Sequence, residues 1–152
     1  MIENYKKILD GNLFYYIDIG SRGGLSPDWE QVKSFIQIVL FEPDEEEAKR
    51  LKNNSLNNEL IIPKAVWAHK GMINFHLTRN PSYSSALKAD INELEGTYYY
   101  CRNFYEIEKT VSVEVSSLED LLHEDKIKDI DFLKIDIQGA ENYIFNSIYN
   151  WK

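Results

Sequence analysis

The chain has 152 residues, 43% of them hydrophobic, and 17 Lys and Arg stand against 25 Asp and Glu for a formal charge of -8. That length supports one domain with a single core, and the acidic balance argues against nucleic acid or an anionic membrane as a partner. The lone Cys101 cannot form an internal disulfide, no cysteine spacing resembles a metal site, and no apolar stretch reaches the roughly 20 residues that cross a bilayer, so a cytoplasmic protein is expected.

Residues 15–24 read Tyr-Tyr-Ile-Asp-Ile-Gly-Ser-Arg-Gly-Gly, a strand running into an acid and a glycine turn. In an open α/β sheet such a turn lies at the crevice where ligands bind, with Asp18 facing it. The spacing Asp18-x-Gly20-x-x-x-Gly24 lacks the Gly-x-Gly-x-x-Gly turn that seats a pyrophosphate, and a carboxylate there suits a cationic ligand. S-adenosylmethionine, with its sulfonium and amino groups, fits; a tight turn without a ligand is the competing reading. Ser26 and Pro27 then open a predicted helix with Trp29, Val32, Phe35 and Ile36 at helical spacing. Residues 37–41 form a buried strand stopped by Glu42-Pro43, and Asp44 caps a helix with Glu45, Glu46 and Glu47 in its first turn and Lys49, Arg50 and Lys52 in its last.

Residues 60–68 read as a third strand, and 71–78 as an edge strand alternating Ile73, Phe75 and Leu77, pairing antiparallel with 110–115. The aromatic-rich stretch 82–109, with Tyr98, Tyr99 and Tyr100 in a row, shows no period and is mostly loop with some helix. Ser116 or Ser117 caps a helix carrying Leu118, Leu121 and Leu122; residues 131–137 form a strand that delivers Asp136, and Gly139 opens a helix with Ala140, Tyr143, Ile144 and Ile148 on one face. This alternation predicts an α/β fold with a mostly parallel sheet and helices on both faces.

Glu42, 22 positions after Gly20 at the end of the next strand, stands where an acid accepts both hydroxyls of a ribose. Taken in order, Asp18-Ile-Gly20, Phe41-Glu42-Pro43, Lys64-Ala65-Val66, Ser84-Ser85, Leu118-Glu-Asp120 and Lys134-Ile-Asp136-Ile-Gln-Gly139-Ala-Glu141 resemble FkbM-type methyltransferases, a branch of the class I S-adenosylmethionine-dependent enzymes. The resemblance implies a Rossmann-like fold with sheet order 3-2-1-4-5-7-6 and cofactor over strands one and four. It implies that Asp18 and Gly20 line the methionine part, that Ser21 and Gly24 of the same turn also bind the cofactor, that Glu42 holds the ribose and that Ala65 and Val66 flank adenine. The acceptors it implies are hydroxyl oxygens of sugars or secondary metabolites.

Two features depart from the pattern. Ser21-Arg22 replaces the Ala-Asn of many relatives, so Arg22 is either an exposed turn residue or a contact to a cofactor or substrate carboxylate. The strands expected after the Gly139 helix are absent from these residues, so the whole chain, 1–152, reads as a single methyltransferase-like domain: the N-terminal, cofactor-binding part of a longer enzyme, truncated after the fourth strand and its helix. Strand four is then an exposed edge that invites a homodimer.

Methyl transfer to a hydroxyl needs alignment and a base, not a metal. Asp136 is the first candidate for that base and Glu141 the second, with an N-cap-like carboxylate and a dipole-favoured helix residue as their structural alternatives. Lys134, on a strand expected to be buried, needs a carboxylate partner. His69, His76 and His123 show no ligand spacing and are expected at the surface, while Ser84 and Ser85 either lie near substrate or satisfy loop backbone. A small-molecule acceptor, carbohydrate among the candidates, is the expected partner. A nicotinamide-dependent oxidoreductase and a noncatalytic interaction module or inactive fragment are the alternatives.

Overall fold

The structure, a computed structural model, describes residues 13–90, 99–124, 127 and 130–148; Tyr98 and the side chains of Tyr99, Tyr100 and Ile148 lie outside the described set. In chain order the strands are β1 (Tyr15–Ile19), β2 (Gln37–Phe41), β3 (Glu59–Ile62), β4 (Ala65–Trp67), β5 (Gly71–Thr78), β6 (Ile107–Ser117) and β7 (Phe132–Ile135), and the α-helices are α1 (Glu45–Asn53), α2 (Leu118–Glu124) and α3 (Glu141–Ile148).

One sheet is wholly parallel in the order β3-β2-β1-β7. These are the first four places of the order implied by the resemblance, with β7 as its fourth strand. Ile17, Ile19, Val39, Phe41 and Ile62 pack with Leu118, Leu121 and Leu122 of α2 and Ile144 of α3. Tyr16, Ile38 and Leu40 pack on the other face with Leu51 of α1, Trp29 and Val32. With both faces covered, the strand interior needs no polar position, which is why β2 after Gln37 reads as the apolar run Ile38-Val-Leu-Phe41.

α1 forms as its sequence dictates. The Asp44 side chain accepts from the amides of Glu46 and Glu47 at 3.0 and 3.3 Å, two donors that the first turn leaves without helical partners. Of the two serines before α2, Ser117 is the cap: its Oγ accepts the Asp120 amide at 3.1 Å and donates to Asp120 Oδ2 at 2.8 Å.

Three expectations are corrected. The segment after the glycine turn is not an α-helix but two 3-10 turns, Pro27–Trp29 and Lys33–Phe35, and Ser26 makes no side-chain cap. Its amides bond three residues back, as Trp29 does to Ser26 and Val32 to Trp29. Trp29 still packs its half-buried ring, its centroid 4.8 Å from those of Tyr16 and Phe132, so the helical spacing marked a packed face without an α-helix behind it. The stretch 60–68 is not one strand. Pro63, which has no amide to donate, interrupts it, β3 ends in the parallel sheet and β4 begins a second sheet.

That second sheet has the order β4-β6-β5, with β4 parallel and β5 antiparallel to β6, as the alternation of the last two foretold. The third correction lies here: His76 is buried, its Nδ1 2.9 Å from Thr110 Oγ1, because the chain returns after β5 and Ser85 exchanges backbone hydrogen bonds with His76. Ala65, Trp67 and Val115 pack on Ala140 and Ile137, which docks the second sheet on the β7–α3 junction, and Trp67 stacks on Tyr143 at 4.5 Å. Among the described residues no helix is long and apolar enough to cross a membrane.

Candidate active site

At the carboxyl ends of β1, β2 and β7 lies a cavity of about 380 Å³, within the ~300–1,000 Å³ usual for small-molecule sites. One wall is the parallel sheet: Gly20, Phe41, Glu42, Lys134 and Asp136. The facing wall is the second sheet and its following loop: Ala65, Val66, Ile73, Phe75 and, from the loop, Ser82, Tyr83 and Ser84.

Gly20 makes the convergence of β1 and β7 possible. Its φ is +83°, and a Cβ there would stand 2.1 Å from the Asp136 carbonyl oxygen. The amides of Gly20 and Ser21 both donate to the Phe41 carbonyl, at 3.1 and 3.2 Å, and pin the turn to the end of β2. Ser21 is buried with its Oγ unpartnered and does not line the cavity. Gly24 also lies outside the wall; a Cβ there would stand 3.1 Å from Leu51, so its work is packing against α1. The Gly23 amide donates to Glu47 Oε1 at 2.8 Å, and the Arg50 guanidinium above all, with that amide, holds the Glu47 carboxyl down at about 2.

Glu42 is only 4% exposed, and its Oε1 accepts the Asp44 amide at 2.9 Å. Burial pushes its carboxyl above the ordinary value despite that amide and the nearby Arg22. Arg22 lines the cavity but is engaged by Asp44, Nη2 to Oδ2, at 2.5 Å.

Asp18 does not line the cavity; Lys134, its neighbour across the β1–β7 register, does. Lys134 Nζ donates to Asp18 Oδ1 at 2.9 Å and Tyr16 donates to Oδ2 at 3.2 Å, the carboxylate partner that a lysine on this strand required. Burial pushes the Asp18 carboxyl up, against the pull of Lys134 and Tyr16, and burial with the Asp18 charge also raises the Tyr16 hydroxyl. Lys134→Met therefore leaves an unpaired buried acid. Since the Lys134 side chain is itself 35% exposed, the expected cost at neutral pH is about 1–3 kcal/mol, less than for a fully buried pair. A carboxyl raised by folding favours the folded state below its unfolded value and loses that contribution as pH rises through the folded value. The deficit should thus be larger at pH 8 than at pH 5 in denaturant titrations, and Asp18→Asn in the same chain should recover most of it. A deficit equal at both pH values would mean that Asp18 is not the affected group.

Asp136 is exposed at the cavity wall, its Oδ1 accepting from Gln138 Nε2 at 2.9 Å and its amide donating to the Ile19 carbonyl at 2.9 Å. Glu141 lies outside the wall, and its Oε1 accepts the amides of Ile137 and Gly139 at 3.1 and 3.2 Å. Ser84 lines the cavity and accepts the Thr78 amide at 3.1 Å, whereas Ser85 is buried behind it. Gly20, Glu42, Ala65, Val66 and Asp136 thus share one hollow, with Asp18 reaching it through Lys134. Residues to which the sequence assigned no role join them, among them Gln138, foreshadowed only by the glycine after it, and Ser82 and Tyr83, hidden in the aromatic-rich stretch.

The Methyltransferase FkbM domain matches residues 5–151. The chain is also 27% identical over 135 residues to the protein named 2-O-methyltransferase NoeI from Sinorhizobium fredii, a match covering 83% of this chain and 54% of that protein, so the chain spans about half the length of this curated relative. No solved structure matches significantly. With nearly the whole chain matched by that domain and residues of several of its motifs gathered at one cavity, the chain belongs to the FkbM methyltransferase family.

Proposed function

We propose that the chain binds S-adenosylmethionine and serves O-methylation of a small hydroxylated acceptor, a sugar or a secondary metabolite. The observation that carries this reading is the buried Glu42 in the cavity wall: the Asp44 amide occupies only part of its acceptor capacity, leaving room for two ribose hydroxyls. Phe41, Ala65 and Val66 offer adenine an apolar wall, and Gly20 and Lys134 flank the place for the methionine end. S-adenosylmethionine supplies a methyl group already activated on a sulfonium.

The chain's own residues do the rest. The Asp136 carboxylate accepts the proton of the acceptor hydroxyl, and Tyr83 and Ser82 on the facing wall present a ring face and a hydroxyl to the acceptor. Tyr83 is backed by Phe104 and Tyr105, with ring centroids at 6.0 and 4.6 Å, which keeps its face in place. The 2-O-methyltransferase activity in the relative's name supports hydroxyl oxygen as the target.

Calorimetric titration tests the donor: S-adenosylmethionine should bind and a nicotinamide dinucleotide should not, and tight binding of the dinucleotide alone overturns the reading. For the base, Asp136→Asn is expected to lower turnover by ~10²–10⁴-fold while donor affinity stays within about twofold. Equal losses in turnover and affinity would assign Asp136 to binding instead.

A further inference from the structure

Gln138 is the one non-glycine residue with positive φ among those described, at +57°, and it lines the cavity beside Asp136. A long side chain on a left-handed backbone persists where its surroundings over-determine it. Two side chains hold this turn. Ser85, buried in the loop that follows β5, directs its hydroxyl between the carbonyl oxygens of Ile137 and Gln138, at 3.1 and 3.0 Å. Glu141 Oε1 takes the amides of Ile137 and Gly139 at 3.1 and 3.2 Å. At Gly139, whose φ is +93°, an added Cβ would meet nothing within 4 Å, so no close approach at that glycine shapes the turn. The turn that Ser85 and Glu141 hold brings Gln138 Nε2 to 2.9 Å from Asp136 Oδ1.

We propose that Ser85 and Glu141 are positioning residues that clamp the 136–139 turn and, through Gln138, orient the Asp136 carboxylate toward the cavity. The proposal rests on the reading of Asp136 as the base. It gives Glu141 a task other than proton transfer, because Glu141 lies outside the cavity wall and spends its Oε1 on the two amides of the turn. It also gives the second sheet a part in the chemistry: Ser85 is anchored by its backbone pairing with His76, so β5 and the catalytic turn are tied through one hydroxyl.

The test is nuclear magnetic resonance on the nitrogen-15-labelled full chain, which needs neither donor nor acceptor. In Ser85→Ala, the Ile137 and Gly139 amides should exchange with water at least tenfold faster and the Gln138 side-chain amide should move to the position of a free glutamine, while Ser85→Thr restores both signals. If Ser85→Ala lowers the unfolding midpoint but leaves both signals where they were, Ser85 only packs and the clamp is refuted. Should Ser85→Ala fail to fold, Glu141→Ala releases the other side of the same turn and is read in the same way, unchanged Ile137 and Gln138 signals again refuting the clamp. A failure of the wild-type chain to bind S-adenosylmethionine in calorimetry would overturn the methyl-transfer reading alone, and the resonance signals would still decide the clamp.

Discussion

Gly20→Ala is expected to cost about 3 kcal/mol or more, enough to unfold a marginally stable domain. A left-handed alanine accounts for roughly 1–2 kcal/mol of that. The remainder comes from the new methyl, which would stand 2.1 Å from a backbone oxygen of Asp136 that cannot rotate away. Relief requires the ends of β1 and β7 to separate, which breaks the bond from the Asp136 amide to Ile19 and opens the cavity at its hinge. Gly23→Ala is the internal control: its φ is +88°, yet nothing lies within 4 Å of a Cβ there. It should show the backbone cost alone, roughly 1–2 kcal/mol. Urea unfolding of both variants checks the comparison, and equal losses would mean that the close approach of the strands is immaterial.

The second large effect is expected at Glu42. Glu42→Ala should weaken S-adenosylmethionine binding by roughly 1–3 kcal/mol, the worth of hydrogen bonds to a charged acceptor. The pH dependence of the wild type is the sharper test. With Glu42 holding the ribose as proposed, the hydroxyls would donate to the ionised carboxylate, so affinity should be full above the Glu42 value and fall as pH drops through it; because burial raises that value, the fall should begin at a higher pH than for an ordinary glutamate. Glu42→Gln keeps an acceptor for the Asp44 amide and should flatten this profile while weakening binding. Its effect on folding has the opposite sign. The folded chain holds the Glu42 proton more readily than the unfolded chain, so ionisation costs stability as pH rises through the folded value, and the neutral amide should make the fold more stable at pH 7. A Glu42→Gln chain that binds as well as wild type would remove Glu42 from the site.

The legible parts of this protein were those whose causes are local. β2 was bounded at both residues because an apolar run needs no partner information to be a buried strand, and Pro43 stops the ladder. α1 was legible from Asp44 and the charges at its two ends. The need of Lys134 for a carboxylate followed from placing a charge on a strand expected to be buried; β7 is a partly exposed edge strand, yet the partner exists, and the β1–β7 register supplied Asp18. The 26–36 segment misled because Trp29 and Val32 bury the same face from 3-10 turns as they would from a helix, and periodicity reports the face rather than the hydrogen bonds.

The order of motifs along the chain determined by itself the family, the parallel sheet and many of the residues that meet at the cavity, since the motifs around Gly20, Glu42 and Asp136 sit at the carboxyl ends of β1, β2 and β7, and strand ends in a parallel sheet converge. Only the tertiary structure decided that Asp18 reaches the cavity through Lys134, that His76 is buried, and that a second sheet supplies the facing wall with Tyr83 and steadies the turn through Ser85. Those outcomes depend on contacts between residues far apart in the chain, such as Asp18 with Lys134 and Ser85 with Gln138. Pairing at such distance is settled by which surfaces fit when the whole chain packs, and no local pattern records it.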